Sequence, residues 1–163
     1  MSEVKLRMPQ VTDGVALNHL VAASPPLDGN SVYCNLLQCG HFAGTGVAAE
    51  HNGELVGFVS GYQLPGQPHV WFVWQVVVAE QARGQGLAKK MLKHVLARPA
   101  LAGVRHIHTS ITPGNQASHA TFASLAKDLN CPVSASPWLE SDIHFAGLHD
   151  PEHLIDVGPF KIQ

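Results

Sequence analysis

The stretch from Val70 to Ala97 constrains the fold of this 163-residue chain more strongly than any other part of it. Up to Val78 it is apolar and rich in β-branched and aromatic side chains, which is typical of a strand buried on both faces. A loop with two glycines, from Arg83 to Ala88, follows. Apolar residues then recur at helical spacing beside three lysines, which predicts an amphipathic helix with the apolar positions Leu87, Met91, Leu92, Val95 and Leu96.

A strand, a glycine loop and a helix in succession form an anion site, because unpaired backbone N–H groups converge there and the helix dipole favours negative charge. Glycine lets a phosphate come close, since it has no Cβ. Lys89 stands where a dinucleotide fingerprint has its third glycine, and the chain contains no Gly-Lys-Ser/Thr tripeptide of a triphosphate loop. The pattern present is Arg-x-x-Gly-x-Ala, at Arg83, Gly86 and Ala88. A purely structural strand-to-helix turn is the alternative.

This pattern resembles the pyrophosphate loop of the GNAT superfamily of N-acetyltransferases, which hold acetyl-coenzyme A. The resemblance implies an α/β fold in which a mixed sheet with flanking helices splays between its fourth and fifth strands to admit the coenzyme. It implies that residues 76–78 pair with the pantetheine arm as a strand would, and that backbone N–H groups near Gln75 polarise the thioester. The implied coenzyme contacts are Val76, Val77, Val78, Arg83, Gly84, Gln85, Gly86, Leu87, Ala88, Lys89 and Asn115.

Composition limits the function classes. A hydrophobic content of 45% with 13% charged residues is ordinary for a globular chain, and 163 residues suit one domain over 1–163. A net charge of −2 argues against a nucleic-acid partner, and the lack of a long apolar run argues against a membrane partner. The chain start lacks the apolar core of a secretory signal, and three cysteines without zinc spacing indicate reduced thiols, so a cytoplasmic location is expected. The eleven histidines are scattered, and we expect no metal cofactor.

Periodicity and turn residues predict the remaining elements. Thr12 and Asp13 are expected to cap a first helix with the apolar positions Val15, Leu17, Leu20 and Val21. Asn30 or Ser31 is expected to cap a second helix, with the apolar positions Cys34, Leu36, Leu37 and Phe42. Asn52-Gly53 predicts a hairpin. Strands are predicted at residues 4–8, 45–50, 55–62, 70–78, 104–110, 141–145 and 154–162, and a further helix at 116–129. This order is that of the GNAT fold.

Asn115, Ser118 and Phe122 resemble the second GNAT motif, Asn-x-x-Ala/Ser-x-x-x-Tyr. The departure at the last position matters, because the family tyrosine usually protonates the departing thiolate. Phenylalanine has no proton to donate. Tyr33 or a water must serve instead, or the thiolate leaves unassisted.

Three further stretches resemble the L-2,4-diaminobutyrate acetyltransferases of ectoine biosynthesis. They are Pro26-Leu27-Asp28-x-Asn30-Ser31-x-Tyr33, Gly57 to Tyr62 with Phe72 to Val76, and His149-x-x-Glu152. The resemblance implies acetyl transfer to the 4-amino group of a small diamine, a part in compatible-solute synthesis under osmotic stress, and a homodimer. Its self-complementary surface is expected in the apolar stretch 154–162, which is alternatively an ordinary edge strand.

Diaminobutyrate carries two ammonium groups, so its site needs carboxylates. Glu152 is the expected base and Asp28 the expected anchor, although either is alternatively a turn or surface charge. The expected catalytic residues are Glu152, Tyr33 and Gln75, and the expected substrate contacts are Asp28, Tyr33, Trp74, His149 and Glu152.

Each of the other expected substrate contacts has a structural alternative. Trp74 and Tyr33 are alternatively core residues, and His149 alternatively caps a helix or pairs with another residue of the chain. Arg7 and Arg105 are candidates for the substrate carboxylate, and the sequence selects neither. The competing functions are a GNAT transferase for another amine, such as a polyamine, an aminoglycoside or a protein N-terminus, and a module that binds coenzyme A without turnover.

Overall fold

The computed structural model describes residues 3–161, which form a seven-stranded mixed sheet with flanking helices. The strands are β1 (Lys5–Arg7), β2 (Val47–His51), β3 (Glu54–Leu64), β4 (Gln67–Val78), β5 (His106–Ile111), β6 (Val133–Leu139) and β7 (Glu152–Val157). The helices are α1 (Gly14–Ala22), α2 (Val32–Cys39), α3 (Leu87–Leu96), α4 (Gln116–Asp128) and the single turn α5 (Ser141–His144). The strand order is β1-β2-β3-β4-β5-β7-β6, with β4 and β5 parallel. Within residues 3–161 no helix is long and apolar enough to cross a membrane.

The chain divides into two compact units, the first comprising residues up to 62 with 74–102 and the second comprising 63–73 with the residues from 103 onward. The core of the first unit is built from α1, β2, β3 and α3. Gly57 of β3 lets α3 pack closely, because a Cβ there would lie 3.1 Å from the Met91 Cε atom. The core of the second unit contains Trp71, Ile107 and Ile155, all at most 2% exposed. The prediction of one domain over 1–163 stays a prediction.

The predicted hairpin is confirmed. His51 pairs with Glu54, and the two residues between them have positive φ angles, 52° at Asn52 and 81° at Gly53. Both central residues of a type I′ turn need positive φ, which asparagine tolerates and glycine adopts freely. The Asn-Gly pair therefore fixes the register of β2 against β3 next to the turn, and a bulge shifts the register between Ala49 and Glu50.

The first two helices form as predicted, but their faces differ from the prediction. Val15 of α1 is 51% exposed, and the Asp13 carboxylate binds Arg7 and the Gln10 backbone N–H instead of capping α1. Ser31 caps α2 by accepting from the Cys34 N–H group at 3.0 Å. The buried residues of α2 are Asn35, Gln38 and Cys39, whereas Cys34, Leu36 and Leu37 are half-buried and Phe42 follows the helix.

The C-terminal prediction is partly wrong. The predicted strand at 141–145 is the helical turn α5, and the strand that the sequence did not reveal is β6. The predicted strand at 154–162 is β7, which runs only from Glu152 to Val157. Strand β7 pairs with β5 on one side and with β6 on the other, so it is an inner strand and not a sheet edge. Ile155, Val157 and Phe160 are buried, and Ile162 lies outside the described residues.

Candidate functional site

The glycine loop, residues 83–88, connects β4 to α3 in the first unit. Residues 83–86 are exposed, and Gly84 and Gly86 have φ angles of 77° and 70°. Gly86 is the N-cap of α3 and provides no side-chain cap for the N–H groups of the first turn, which have no intrahelical acceptor. A Cβ at either glycine would meet no atom within 4 Å. Glycine is therefore favoured here by the backbone conformation, and the open space leaves room for an anion.

Arg83 is fixed at the start of this loop, since its Nε–H group donates to the Val78 carbonyl at 3.1 Å. The helix that follows adds Lys89, Lys90 and Lys93, while its opposite face is buried. The combination of helix N-terminus, arginine and lysines suits a pyrophosphate.

Gln75 on β4 holds the loop that contains Asp28. Its Nε2 group donates to the Asp28 carbonyl at 3.1 Å, and its Oε1 atom accepts from Asn30 Nδ2 at 3.0 Å. The structure thereby brings together two predicted site residues, Gln75 and Asp28. Both ends of the Gln75 amide are used in these two hydrogen bonds, which we call the Gln75 clamp. The side chain therefore positions the loop, and the expected contact with the thioester is left to the backbone N–H groups.

A chain of amide side chains continues from this clamp into the first unit. Asn18 Nδ2 donates to the Asn30 carbonyl at 2.8 Å and to Asn35 Oδ1 at 3.0 Å, and Asn35 Nδ2 donates to Gln38 Oε1 at 2.9 Å. Asn35 and Gln38 are 0% and 1% exposed. Sequence reasoning missed this network. The available signal was two amides at i and i+3 on α2, a spacing that puts both on one helix face.

Trp74 belongs to an aromatic cluster with Phe42 and Tyr62. The three ring centroids are 5.9–6.2 Å apart, and Trp74 meets both other rings edge-on. Burial raises the pKa of the Tyr62 phenol. Trp74 is 40% exposed, so the alternative that it is a core residue does not hold. Its accessible ring can flank a cation. Tyr33, at the start of α2, is 70% exposed and likewise no core residue.

Arg7 is already paired. Its guanidinium donates to both Asp13 carboxylate oxygens at 2.8 Å and to Glu50 at 3.3 Å, which removes it as a candidate for the substrate carboxylate. Arg105 is exposed in the second unit and lines a surface hollow of about 420 Å³ with Asn130 and Phe160.

The second unit holds Glu152 and His149. Glu152 begins β7, is half-buried, and accepts from Ser110 Oγ at 3.4 Å. The His149 ring lies 4.7 Å from the Phe145 ring, its Nδ1 atom is 2.6 Å from the Asp150 carbonyl, and its own carbonyl accepts from Ser141 Oγ. His149 thus has a structural role in the turn before β7.

Asn115 and Phe122 lie at the start and in the middle of α4. Asn115 Oδ1 caps the helix by accepting from the Ser118 N–H group at 3.2 Å. Phe122 is 3% exposed and belongs to the core of the second unit. The position at which family members carry the tyrosine is therefore filled by a packing residue.

The profile of the acetyltransferase (GNAT) family matches residues 17–126. The chain is 50% identical over 158 residues to the L-2,4-diaminobutyric acid acetyltransferase of Methylotuvimicrobium alcaliphilum, covering 97% of this chain and 92% of that one. It is 46% identical to the enzyme of the same name from Vibrio parahaemolyticus, covering 95% and 85%. The diaminobutyrate acetyltransferase EctA of Paenibacillus lautus, solved with L-2,4-diaminobutyric acid and coenzyme A, superposes with a TM-score of 0.94 at 36% identity, covering 100% and 99%.

The chain belongs to the GNAT family of acetyltransferases. The predicted fold class is confirmed, and the chain is an N-acetyltransferase with acetyl-coenzyme A as its co-substrate. Within the family it belongs to the L-2,4-diaminobutyric acid acetyltransferases.

Proposed function

We propose that this protein transfers the acetyl group of acetyl-coenzyme A to the 4-amino group of L-2,4-diaminobutyrate, giving N4-acetyl-L-2,4-diaminobutyrate. The observation that carries this proposal is the match of the whole chain, at a TM-score of 0.94, to an acetyltransferase solved with that diamine and coenzyme A. The exposed Trp74 ring and the clamped Asp28 loop support it, because both suit a cationic substrate. The product is an intermediate of ectoine synthesis, so a part in osmotic stress and a cytoplasmic location belong to the proposal.

The reaction begins with proton removal. An alkylammonium has a pKa of about 10.4, so roughly one amine in 10³ is neutral at pH 7. Glu152 takes the proton directly or through water, and the neutral 4-amine attacks the thioester carbonyl carbon. The backbone N–H groups near Gln75 and Val76 stabilise the oxyanion that forms. The attacking nitrogen then gives its second proton to water, the C–S bond breaks, and the coenzyme leaves as a thiolate that takes a proton from Tyr33 or water.

The 4-amine must be selected over the α-amine by the way in which the enzyme positions the substrate. The α-amine has a pKa of roughly 8, so it is neutral more often than the 4-amine and would react first in solution. Asp28 is proposed to anchor the substrate with the 4-amine facing the thioester. The Gln75 clamp supports this role, since it fixes the backbone of residue 28 against β4.

A thiol-release assay across an amine panel tests the substrate. We expect kcat/KM for L-2,4-diaminobutyrate to exceed the values for spermidine, an aminoglycoside and an alanyl peptide by at least about 100-fold, equivalent to about 2.7 kcal/mol. Mass spectrometry of the product must place the acetyl group on N4. Equal activity on polyamines would contradict the substrate assignment, and tight acetyl-coenzyme A binding without thiol release would favour the non-catalytic module.

Charge-neutral variants test the two carboxylates. Glu152→Gln is expected to lower kcat about 100-fold or more, as loss of a base does. Asp28→Asn is expected to lower kcat/KM by roughly 10- to 150-fold, mainly through KM, because a charge-assisted hydrogen bond is worth about 1.5–3 kcal/mol. Glu140→Gln and Asp150→Asn, at exposed positions, are the matched controls. Near wild-type kcat/KM for both test variants would mean that these residues are only turn and surface charges.

We further propose a homodimer. In the second unit, β6 is exposed along nearly its whole length, and Val133, Trp138, Ile143 and Leu148 are 43–89% exposed. Apolar side chains grouped within residues 133–148 favour a contact with a second copy over isolated surface exposure. This stretch replaces 154–162 as the proposed dimer surface.

A further inference from the structure

Two histidines and an aspartate converge on one face of the sheet in the second unit. His106 and His108 are alternate residues of β5, and Asp156 of β7 lies directly opposite His108 in the antiparallel register. Alternate residues of a strand share a face, so the three side chains point to the same side. Their side chains are 26%, 20% and 34% exposed, which leaves the group accessible from solvent.

The distances within this His–Asp cluster match a metal site. Asp156 Oδ1 makes a hydrogen bond of 2.8 Å with His106 Nδ1, which a bound ion would replace, and lies 3.6 Å from His108 Nε2. Bonds of about 2.0–2.2 Å from a tetrahedral Zn²⁺ to nitrogen and oxygen place neighbouring ligand atoms about 3.3 Å apart, a value between these two. One donor atom from each residue lies within 4.8 Å of the others, and residues 3–161 contain no second group of three or more with that property.

The surroundings hold His106 in place. Gly158 follows β7 with a φ of 140°, and a Cβ on it would lie 2.9 Å from His106 Nδ1, so a larger residue would crowd that donor atom. The rings of His69 and His108 lie edge-on to the His106 ring at centroid distances of 6.2 and 6.3 Å. Ring packing of this kind restricts the imidazole orientation and prepares it for a ligand.

We propose that His106, His108 and Asp156 bind one Zn²⁺ ion. Imidazole nitrogens and a carboxylate oxygen are ligands that zinc accepts, and a water completes four-coordination. The ion joins β5 to β7 and binds the folded chain in preference to the unfolded one, so it acts on stability. The site is separate from the acetyl transfer proposed above and goes beyond it.

Calorimetric titration of the tag-free, chelator-treated full chain with ZnCl₂ tests the site. We expect one bound ion, and a rise in Tm of about 5–10 °C at a free zinc concentration about 100-fold above Kd. Asp156→Asn keeps the shape of the side chain, and His108→Asn removes an imidazole. Each should weaken binding about 100-fold or more, with circular dichroism confirming that the metal-free variants are folded. His41→Asn, which removes an exposed histidine outside the cluster, should bind zinc as the wild type does.

Titration with Co²⁺ provides a second measurement on the unmodified chain. We expect the d–d absorption of a tetrahedral site with nitrogen and oxygen ligands, displaced by zinc. The proposal is overturned by absence of binding in the wild type, by unchanged affinity in Asp156→Asn and His108→Asn, or by an equal loss in His41→Asn. A strong thiolate-to-cobalt band would also overturn it, since the cluster contains no cysteine.

Discussion

At the scale of single residues, the Arg7 guanidinium determines how the Asp13 carboxyl titrates. Two hydrogen bonds of 2.8 Å from Arg7 lower the pKa of Asp13 below its ordinary value, with a further contribution from the Gln10 N–H group. A carboxyl whose folded pKa is depressed stabilises the fold above its unfolded pKa of about 3.9. That stability is lost as the pH falls through the folded value.

Asp13→Asn is therefore expected to lower the free energy of unfolding by about 1–3 kcal/mol at pH 7, because the partly buried Arg7 loses the nearer of its two counter-ions and keeps only Glu50. At pH 2 the variant and the wild type should differ much less. Urea unfolding at both pH values measures this, with exposed Asp142→Asn as control. An equal difference at the two pH values would show that charge is not the cause.

Gly86 gives a second prediction at this scale. Gly86→Asp places a carboxylate where the backbone has a φ of 70° and where we propose that the pyrophosphate binds. We expect acetyl-coenzyme A binding to weaken by at least about 100-fold, with the chain still folded. The exposed hairpin glycine gives a matched control, Gly53→Asp, which has a similar positive φ of 81° and lies outside the glycine loop. Unchanged calorimetric affinity in a folded Gly86→Asp variant would refute the placement of the coenzyme.

At the scale of elements, α2 shows where sequence patterns mislead. Apolar periodicity places Leu36 and Leu37 inward, yet the buried positions hold Asn35 and Gln38. Buried amides are tolerated only when they are hydrogen-bonded. Asn35 accepts from Asn18 on α1 and donates to Gln38 on α2 itself, and a periodicity count does not register these bonds. Gln38 Nε2 nevertheless has no hydrogen-bond partner within residues 3–161.

This amide network predicts a binding effect from a residue outside the proposed substrate contacts. Asn18→Ala removes the donor to the Asn30 carbonyl and to Asn35, so the loop carrying Asp28 loses a support. We expect KM for the diamine to rise about 10-fold, with KM for acetyl-coenzyme A unchanged. His19→Ala, at a neighbouring position on α1, is the control. Unchanged KM for the diamine, or an equal rise for both substrates, would show that the network does not support the substrate loop.

Some elements are determined by the local sequence, and others are determined by pairing with residues far away in the chain. The Asn52-Gly53 hairpin, the Ser31 cap and the glycine loop were predictable, because each depends on residues close to one another in the chain. Strand β6 was not, since its residues are exposed on both faces and show no alternation. It is a strand because β7 pairs with it. The Gln75 clamp escaped prediction for the same reason, as its partners lie far away in sequence.

At the scale of the whole molecule, the exposed apolar stretch on β6, α5 and the turn after it bears on the oligomeric state. Large apolar side chains at Ile143 and Leu148, 74% and 89% exposed, are costly in contact with water unless a second copy covers them. We expect multi-angle light scattering to give twice the 17.4 kDa chain mass at micromolar concentration. Charged substitutions should then shift the equilibrium towards the monomer.

Ile143→Lys with Leu148→Lys places two like charges on each copy of a surface that, in a two-fold dimer, faces itself. We expect the double variant to elute with the monomer mass and to keep its far-ultraviolet circular dichroism, because neither side chain is part of a core. Val11→Lys with Val15→Lys is the matched control, since these valines are 55% and 51% exposed in the first unit. A wild-type chain of monomer mass would contradict the dimer. If the double variant at positions 143 and 148 stayed dimeric, the interface would have to lie on another surface.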